Sequence, residues 1–548
     1  MKLHRFPILA LLLLVLSLAS SCIKNGAKED ERREGSTTFN GTVYGRVTSG
    51  GAGVPGVVVS DGHEIVVTDS EGKYDLNSTK DNGYVFISVP SGYQAVTNGV
   101  TPQFFGRCSK KAGEGEQIDF KLEKVDQSRY SLLLFGDIHL ADRSFCRDFE
   151  QFRTFTDEIN GYVASSSVPV YALTLGDMTW DVFWEANGFG IPEYLDMLGR
   201  EMKNLQVWHT MGNHDNDPSA EGDFQGEAFF RRYIGPNYYS FNIGDIHYVV
   251  LDDMVYVNAS GNRDFLAQVS EEQLEWLRKD LAYVSKSTPV VVAMHTPLYR
   301  RDGSSALRNL GDFIRCFEGY DYVQLFTAHT HNVYDVDMLK RSIHIHECNS
   351  GAVCGAWWMT STACESGLNL CSDGAPAGYR IVDVSGKKIS WRYKGTSCPD
   401  NFVFRTYDRN RICLSADKWT PHASKSSREE FEESAGSYAK PSSANQVLIN
   451  VWDYDPSWKI SVTENGKSLK VTRLTDARDP LYLAVYDAYE YEHGYTLSYP
   501  CGKTDHLFSV TASSSTSTLV VSVTDRFGRT CSETMSRPKE FLSPKLAR

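Results

Sequence analysis

Five times between residues 131 and 331 an apolar run breaks off at a side chain that can bind a cation. The run 132–135 stops at Gly136-Asp137-Ile138-His139, and 171–175 stops at Gly176-Asp177. Residues 205–208 lead through His209 into Gly212-Asn213-His214-Asp215. Pro289 opens 290–294, which stops at His295, and 323–326 stops at Thr327-Ala328-His329-Thr330-His331. Short apolar runs bounded by Gly or Pro read as buried strands, and ligands of open α/β sheets gather beyond the carboxyl ends of such strands. Side chains two apart on a strand share a face, so Asp137 with His139, and His329 with His331, are expected to converge on one site.

Asp137, His139, Asp177, Asn213, His295, His329 and His331 are too many donors for one tetrahedral ion. They suit two ions bridged by a carboxylate, roughly 3.5–4 Å apart in two-metal hydrolytic sites. As merely satisfied core groups, so many converging buried polar side chains would be costly.

The order D-x-H, G-D, G-N-H-D, H, H-x-H resembles the calcineurin-like metallophosphoesterases, over residues 125–397. The resemblance implies an α/β fold, a β-sandwich core flanked by helices. It implies that Asp137, His139, Asp177 and His331 hold one ion, and that Asp177, Asn213, His295 and His329 hold the other. Water shared by the ions would attack phosphorus in line with the leaving group of a phosphate mono- or diester. His214 is similar to the family's histidine that stabilises phosphoryl charge or protonates the leaving oxygen, with Asp215 adjacent to orient it or cap a turn. The mixed N/O donors admit Mn, Fe or Zn. Where the family usually has Gly before H-x-H this chain has Ala328, which suits the position if its φ is negative.

Other residues imitate the pattern. Gly244-Asp245-Ile246-His247 repeats the letters of the first motif, but its apolar run follows rather than precedes it. It therefore reads as a hairpin turn, with His247 at the wrong end of its strand for the site. His344 and His346 alternate on an expected strand close in sequence to His331, either facing the substrate or as ordinary polar positions. Trp357 and Trp358, in an expected loop after the last ligand, are candidates for a substrate wall or for plain packing.

Around this core, residues 1–21 read as a signal peptide: Lys2, His4 and Arg5 precede an apolar stretch too short to span a bilayer. Leu18-Ala19-Ser20-Ser21-Cys22 resembles a bacterial lipoprotein cleavage box, which implies export and a membrane anchor on Cys22. Residues 22–38 are a charged tether, 39–124 an all-β module like those ahead of secreted bacterial enzymes, 125–397 the catalytic core, and 398–548 a β-rich domain like that appended to this family. In the last, 447–452, 481–485 and 519–523 read as strands, and 424–443 as a loop or helical excursion. Helices are expected over 149–163 and from Ser270, whose Ser and Gln at offset three suggest a capping box. Of 12 cysteines, Cys348, Cys354, Cys364 and Cys371 crowd the region after His331, where a disulfide could brace the site. Net charge of -13 argues against a general attraction to nucleic acid, and the expected partner is a small phosphate ester. The competing class is a non-catalytic envelope lipoprotein whose β-domains bind a glycan or partner.

Overall fold

Alternate side chains of the strand Arg129–Phe135 go to opposite faces, and both faces are dry. Leu132 and Leu134 join Tyr171, Leu173, Val249, Val291 and Leu325 in one apolar cluster. Leu133 and Phe135 join Ala172, Val207, Phe152, Phe155 and Ile159 in another. A strand buried on both sides has no polar face to alternate with, hence the unbroken apolar runs.

The computed structural model describes residues 41–257, 263–360 and 369–544. The leader, Cys22, the tether up to residue 38, and Cys364 lie outside the described residues. In the first central sheet Arg129–Phe135 pairs in parallel with Val170–Thr174, and that strand with Gln206–Trp208. Gly378–Ser385 and Lys388–Gly395 extend it antiparallel at the other edge. The second sheet runs Tyr239–Ile243, Ile246–Val250, Val290–Ala293, Tyr322–Thr327, Ile343–Ser350, Val333–Lys340, parallel in the middle and antiparallel at both edges. One apolar cluster fills the space between the sheets. The helices Asp148–Ser165 and Ile191–Glu201 cover the outer face of the first through the other cluster. This is the expected sandwich core flanked by helices.

The helix Glu271–Leu281 packs on the second sheet, where Asp280 accepts hydrogen bonds from Ser240 (2.7 Å) and His247 (2.9 Å). That contact disposes of His247: the imidazole is a structural strut, and Gly244-Asp245 is the expected hairpin turn between two strands. The helix starts where its sequence says, with the Ser270 hydroxyl accepting from the Gln273 N–H at 3.3 Å.

Before the core, the strands Val43–Ser49, Lys73–Leu76 and Phe120–Lys124 face a second small sheet built on Val58–Ser60 and Tyr84–Ser88. After it, Gln446–Asn450 and Leu507–Thr511 lie in one sheet, Lys459–Glu464 and Leu519–Thr524 in another, with Val447, Ile449, Val462, Phe508 and Val521 between them. The expected excursion contains the helix Lys425–Ala435. One strand assignment is overturned: residues 481–485 are helical, Pro480–Tyr482 leading into a widened π turn at Leu483–Asp487. The Asp479 carboxylate caps the N–H groups of Leu481 (2.9 Å) and Tyr482 (3.0 Å), and Pro480 supplies the first helical φ. The run is buried all round, so its hydrophobicity carries no period to separate helix from strand.

All ten described cysteines are free thiols, so no disulfide joins Cys348, Cys354 and Cys371.

Trp276 ties the N-terminal sheets to the core. It is 1% exposed, its ring centroid is 6.0 Å from Phe86 and 5.3 Å from Tyr238, and its Nε1 donates to the Ser60 Oγ at 3.2 Å. Trp276→Ala should lower unfolding free energy by about 3–5 kcal/mol in denaturant titration, the range for emptying an aromatic core site. A loss below about 1 kcal/mol would mean that the ring is not a core contact.

Candidate metal centre

The sequence expectation of ligands alternating on strands is corrected in its geometry, although the convergence it foresaw is present. The strands end at Phe135, Thr174 and Thr327, and the candidate ligands lie just beyond. Asp137 (φ 50), His139 (φ 48), Asp177 (φ 52), His329 (φ 66) and His331 (φ 51) all occupy the left-handed region. Each such residue costs about 1–2 kcal/mol, and so many together persist only where surrounding structure imposes them. The loops impose it on one another: the Asp137 N–H bonds to the Gly176 carbonyl (3.2 Å), that of His139 to Asp177 (3.0 Å), and that of Ala328 to His295 (2.9 Å). Gly212 permits the closest approach, since a Cβ there would lie 2.3 Å from the Asp177 Oδ1. Ala328 keeps a negative φ, and its methyl fits because Gly136 opposite has none; a Cβ on Gly136 would stand 2.7 Å from it.

Asp177 stands between two groups of donors. Its Oδ2 is 3.5 Å from the His139 Nε2 and 3.2 Å from the His295 Nε2. On one side the His139 Nε2 and His331 Nε2 face each other at 3.1 Å, with the Asp137 Oδ1 3.5 Å from the latter. On the other side the His295 Nε2 lies 3.1 Å from the His329 Nδ1 and 3.2 Å from the Asn213 Oδ1. The structure thus brings together all seven residues singled out by the sequence.

Backbone carbonyls set the ring orientations. The Nδ1 of His295 donates to Leu175 (2.7 Å) and that of His331 to Gly355 (2.6 Å), leaving each Nε2 to the centre. Arg143 donates to the His139 carbonyl at 3.1 Å. Burial holds His139 well below the usual imidazole range, and pushes His329 to about 3 and His331 to about 4, so these rings are neutral as metal ligands must be. Burial opposes the Asp177 charge, but the imidazoles of His295 and His214 outweigh it and hold its carboxyl well below the ordinary value; Asp177 in turn, against burial, pushes His295 up to about 10, so without a cation that ring carries a proton. The Asp137 Oδ1 is buried and accepts no hydrogen bond, which is costly unless a cation takes that place. Three groupings here have the spacing of metal ligands: Asp137 with His139 and Asp177; Asp177 with His295 and His329; and His139 with His331 and Cys354. These residues fit metal ions. Cys354 joins the last group unforeseen; burial raises its thiol far above the usual range.

His214 and Asp215 part company. The His214 ring is half-buried beside His139, centroids 5.1 Å apart, and its Nδ1 is 2.7 Å from the Asp181 Oδ1. Arg263 holds the other Asp181 oxygen at 3.1 Å. Burial opposes a charge on His214, yet Asp177 and Asp181 raise its pKa above the ordinary value. Asp215 was expected to orient this imidazole or cap a turn, and it does the second. Its buried carboxylate accepts from the N–H groups of Met178 (3.1 Å), Thr179 (3.1 Å) and Gly212 (3.0 Å), pinning two ligand loops together. Sequence reasoning missed Asp181, whose one signal was an acid four residues beyond Asp177.

The tryptophans divide too. Trp357 stands over the centre, 6.4 Å from the His139 ring, 6.2 Å from His331 and 4.7 Å from Trp180. Trp358 does not face it: the ring is 2% exposed, with Nε1 donating to the Ile138 carbonyl at 2.8 Å, so of its two expected roles, substrate wall or packing, it takes packing beneath the loop. Tyr499, from the C-terminal part, completes the rim 5.0 Å from His331 and 5.4 Å from Trp357. His344 pairs with Asp337 (2.8 Å) and His346 is buried beside Gln324 (3.3 Å) on the same strand, both outside the centre.

Residues 130–333 match the calcineurin-like phosphoesterase family, 41–125 the family's N-terminal part, and 347–531 its C-terminal part. Purple acid phosphatase 15 of Arabidopsis thaliana is 31% identical over 175 residues, 26% of this chain and 30% of that protein. A probable cyclic nucleotide phosphodiesterase of Rhodococcus erythropolis is 23% identical over 207 residues, 37% of this chain and 65% of the relative. The chain therefore spans less than a third of that plant relative and just under two thirds of the bacterial one. The sulfate thiohydrolase SoxB of Thermus thermophilus aligns over 49% of this chain and 56% of its own at 13% identity, with a TM-score of 0.26 that carries no weight. The three matched segments follow one another in the family's order and enclose every candidate ligand, and the chain belongs to the calcineurin-like phosphoesterase family.

Proposed function

We propose that this protein is a metal-dependent phosphoric ester hydrolase using two cations, one in the Asp137–His139–Asp177–His331 group and one in the Asp177–Asn213–His295–His329 group. The supporting observation is the place of Asp177, whose Oδ2 lies within 3.5 Å of imidazole nitrogens from both groups. When bound, Mn, Fe or Zn would supply Lewis acidity at the phosphoryl oxygens and a nucleophilic water near neutral pH.

The chain's own residues do the rest. The backbone N–H of His214 donates to the Asp177 Oδ1 at 2.8 Å, which leaves Oδ2 facing the imidazoles of both groups. Asp181 accepts from the His214 Nδ1, which fixes the tautomer and stabilises the protonated ring, so Nε2 can donate a proton to the leaving oxygen. Arg263 restrains Asp181 in turn. Trp180, Trp357 and Tyr499 form an apolar rim that limits water on the His331 side. A phosphatase and a phosphodiesterase stand among the relatives, and the reading covers both ester classes.

The basic start, short apolar stretch and Cys22 support export and lipid anchorage; among the described residues no helix is long and apolar enough to cross a membrane. Labelled palmitate should enter the wild-type chain in its host and be lost with Cys22→Ala; equal labelling of both would remove the anchor.

Metal analysis combined with hydrolysis of aryl phosphate mono- and diesters tests the activity, and a fully loaded protein inert on every ester would favour the non-catalytic envelope lipoprotein. His214→Ala should lower kcat by about 10²–10⁴ with metal content unchanged, the span typical of a lost proton donor. Asp181→Asn should cost about tenfold to a hundredfold through the same ring. Asp177→Ala should lose both metal and turnover; if it kept two equivalents of metal, the bridging role would be wrong.

A further inference from the structure

On the His329 side the centre opens into a cavity of about 570 Å³. One wall is the loop 296–306, which follows the strand Val290–Ala293, and the other is Gly502 with Lys503, at the start of the strand Lys503–Thr504 in the C-terminal part. The opposite side of the centre is bordered by the half-buried rings of Trp180, Trp357 and Tyr499. A phosphate ester seated at the centre has room to extend on the His329 side.

The charge of this cavity runs against that of the chain. In a protein of net charge -13, its lining carries Arg300, Arg301 and Lys503 against the single carboxylate of Asp302. Arg300 is exposed and has no carboxylate within 4.0 Å among the described residues; its Nη1 donates to the Ser305 carbonyl at 2.6 Å. Arg301 only reaches Asp505 at 3.9 Å, and Lys503 holds the exposed Asp476 at 2.9 Å. Ion pairs at the surface contribute little, so an incoming anion can displace them. The volume falls within the range of small-molecule sites and exceeds what the scissile phosphoryl group alone requires.

We propose that this cavity holds the part of the substrate that is not transferred, through a second phosphate bound by Arg300 and Lys503 with Arg301 beside them. The preferred substrates are then phosphate esters carrying at least one further phosphate, in place of neutral or singly charged esters. Guanidinium and ammonium groups are suited to phosphate oxygens, the first as a planar fork and the second as a point charge. The assignment rests on the proposed phosphoesterase activity of the adjoining centre and makes the C-terminal part a contributor to specificity.

The test pairs fructose 1,6-bisphosphate with fructose 6-phosphate, using the full metal-loaded chain. Wild type should show kcat/KM at least about tenfold higher for the bisphosphate, one such factor corresponding to about 1.4 kcal/mol. Arg300→Gln/Lys503→Gln should reduce that ratio mainly through KM, and Arg300→Glu should reduce it further. These side chains are on the surface, and unchanged melting curves would confirm that the variants fold. A second arm needs no turnover: calorimetric binding of both sugars to the metal-loaded His214→Ala chain, with and without the double substitution. Tighter binding of the bisphosphate that the double substitution abolishes supports the cavity even if no ester is cleaved, in which case only the hydrolase reading falls. Equal affinity for the two sugars, or a preference untouched by the substitutions, overturns the cavity assignment.

Discussion

Two sets of imidazole nitrogens are pressed toward each other around the Asp177 carboxylate, with donors 3.1–3.5 Å apart inside a buried pocket. The protein itself satisfies that arrangement only in part: His295 pairs with Asp177, but burial keeps His139, His329 and His331 uncharged and the Asp137 Oδ1 has no proton to accept. A cation supplies the partner that the remaining lone pairs lack. The two central sheets, their helices and the interlocked loops can be understood as the frame that holds this otherwise unfavourable cluster in place.

The frame works by dividing labour. Strands buried on both faces supply rigidity, while the distortion sits in the few residues past their ends, where five of the seven candidate ligands and both Trp357 and Trp358 take left-handed φ values. Hydrogen bonds between neighbouring loops, with the Asp215 carboxylate clamping Gly212 to Met178 and Thr179, spread the cost over the whole group. Asp215 acts here through geometry rather than through its charge on His214.

What could be read from the sequence follows from the same division. Asp137, His139, Asp177, Asn213, His295, His329 and His331 were legible because each terminates an apolar run, and a run bounded by a polar residue leaves a mark in one dimension. The left-handed loops left none, since no glycine marks the ligand positions. Asp181 could not be paired with His214 because 33 residues separate them and only the folded loops bring them to 2.7 Å. Residues 481–485 were misread for a complementary reason: complete burial erases the polar face that distinguishes one period from another. Trp357 and Trp358 are neighbours in the same loop, and only the turn between them sends one over the centre and the other beneath it.

The rim residue Tyr499 has a consequence beyond its ring. Its hydroxyl donates to the carbonyl of Thr330, the one residue separating His329 from His331. A segment about 170 positions downstream thus grips the backbone between the two groups of donors. The C-terminal part is therefore no detachable appendage: exchanging it for another member's would have to carry over a matching phenol at that point.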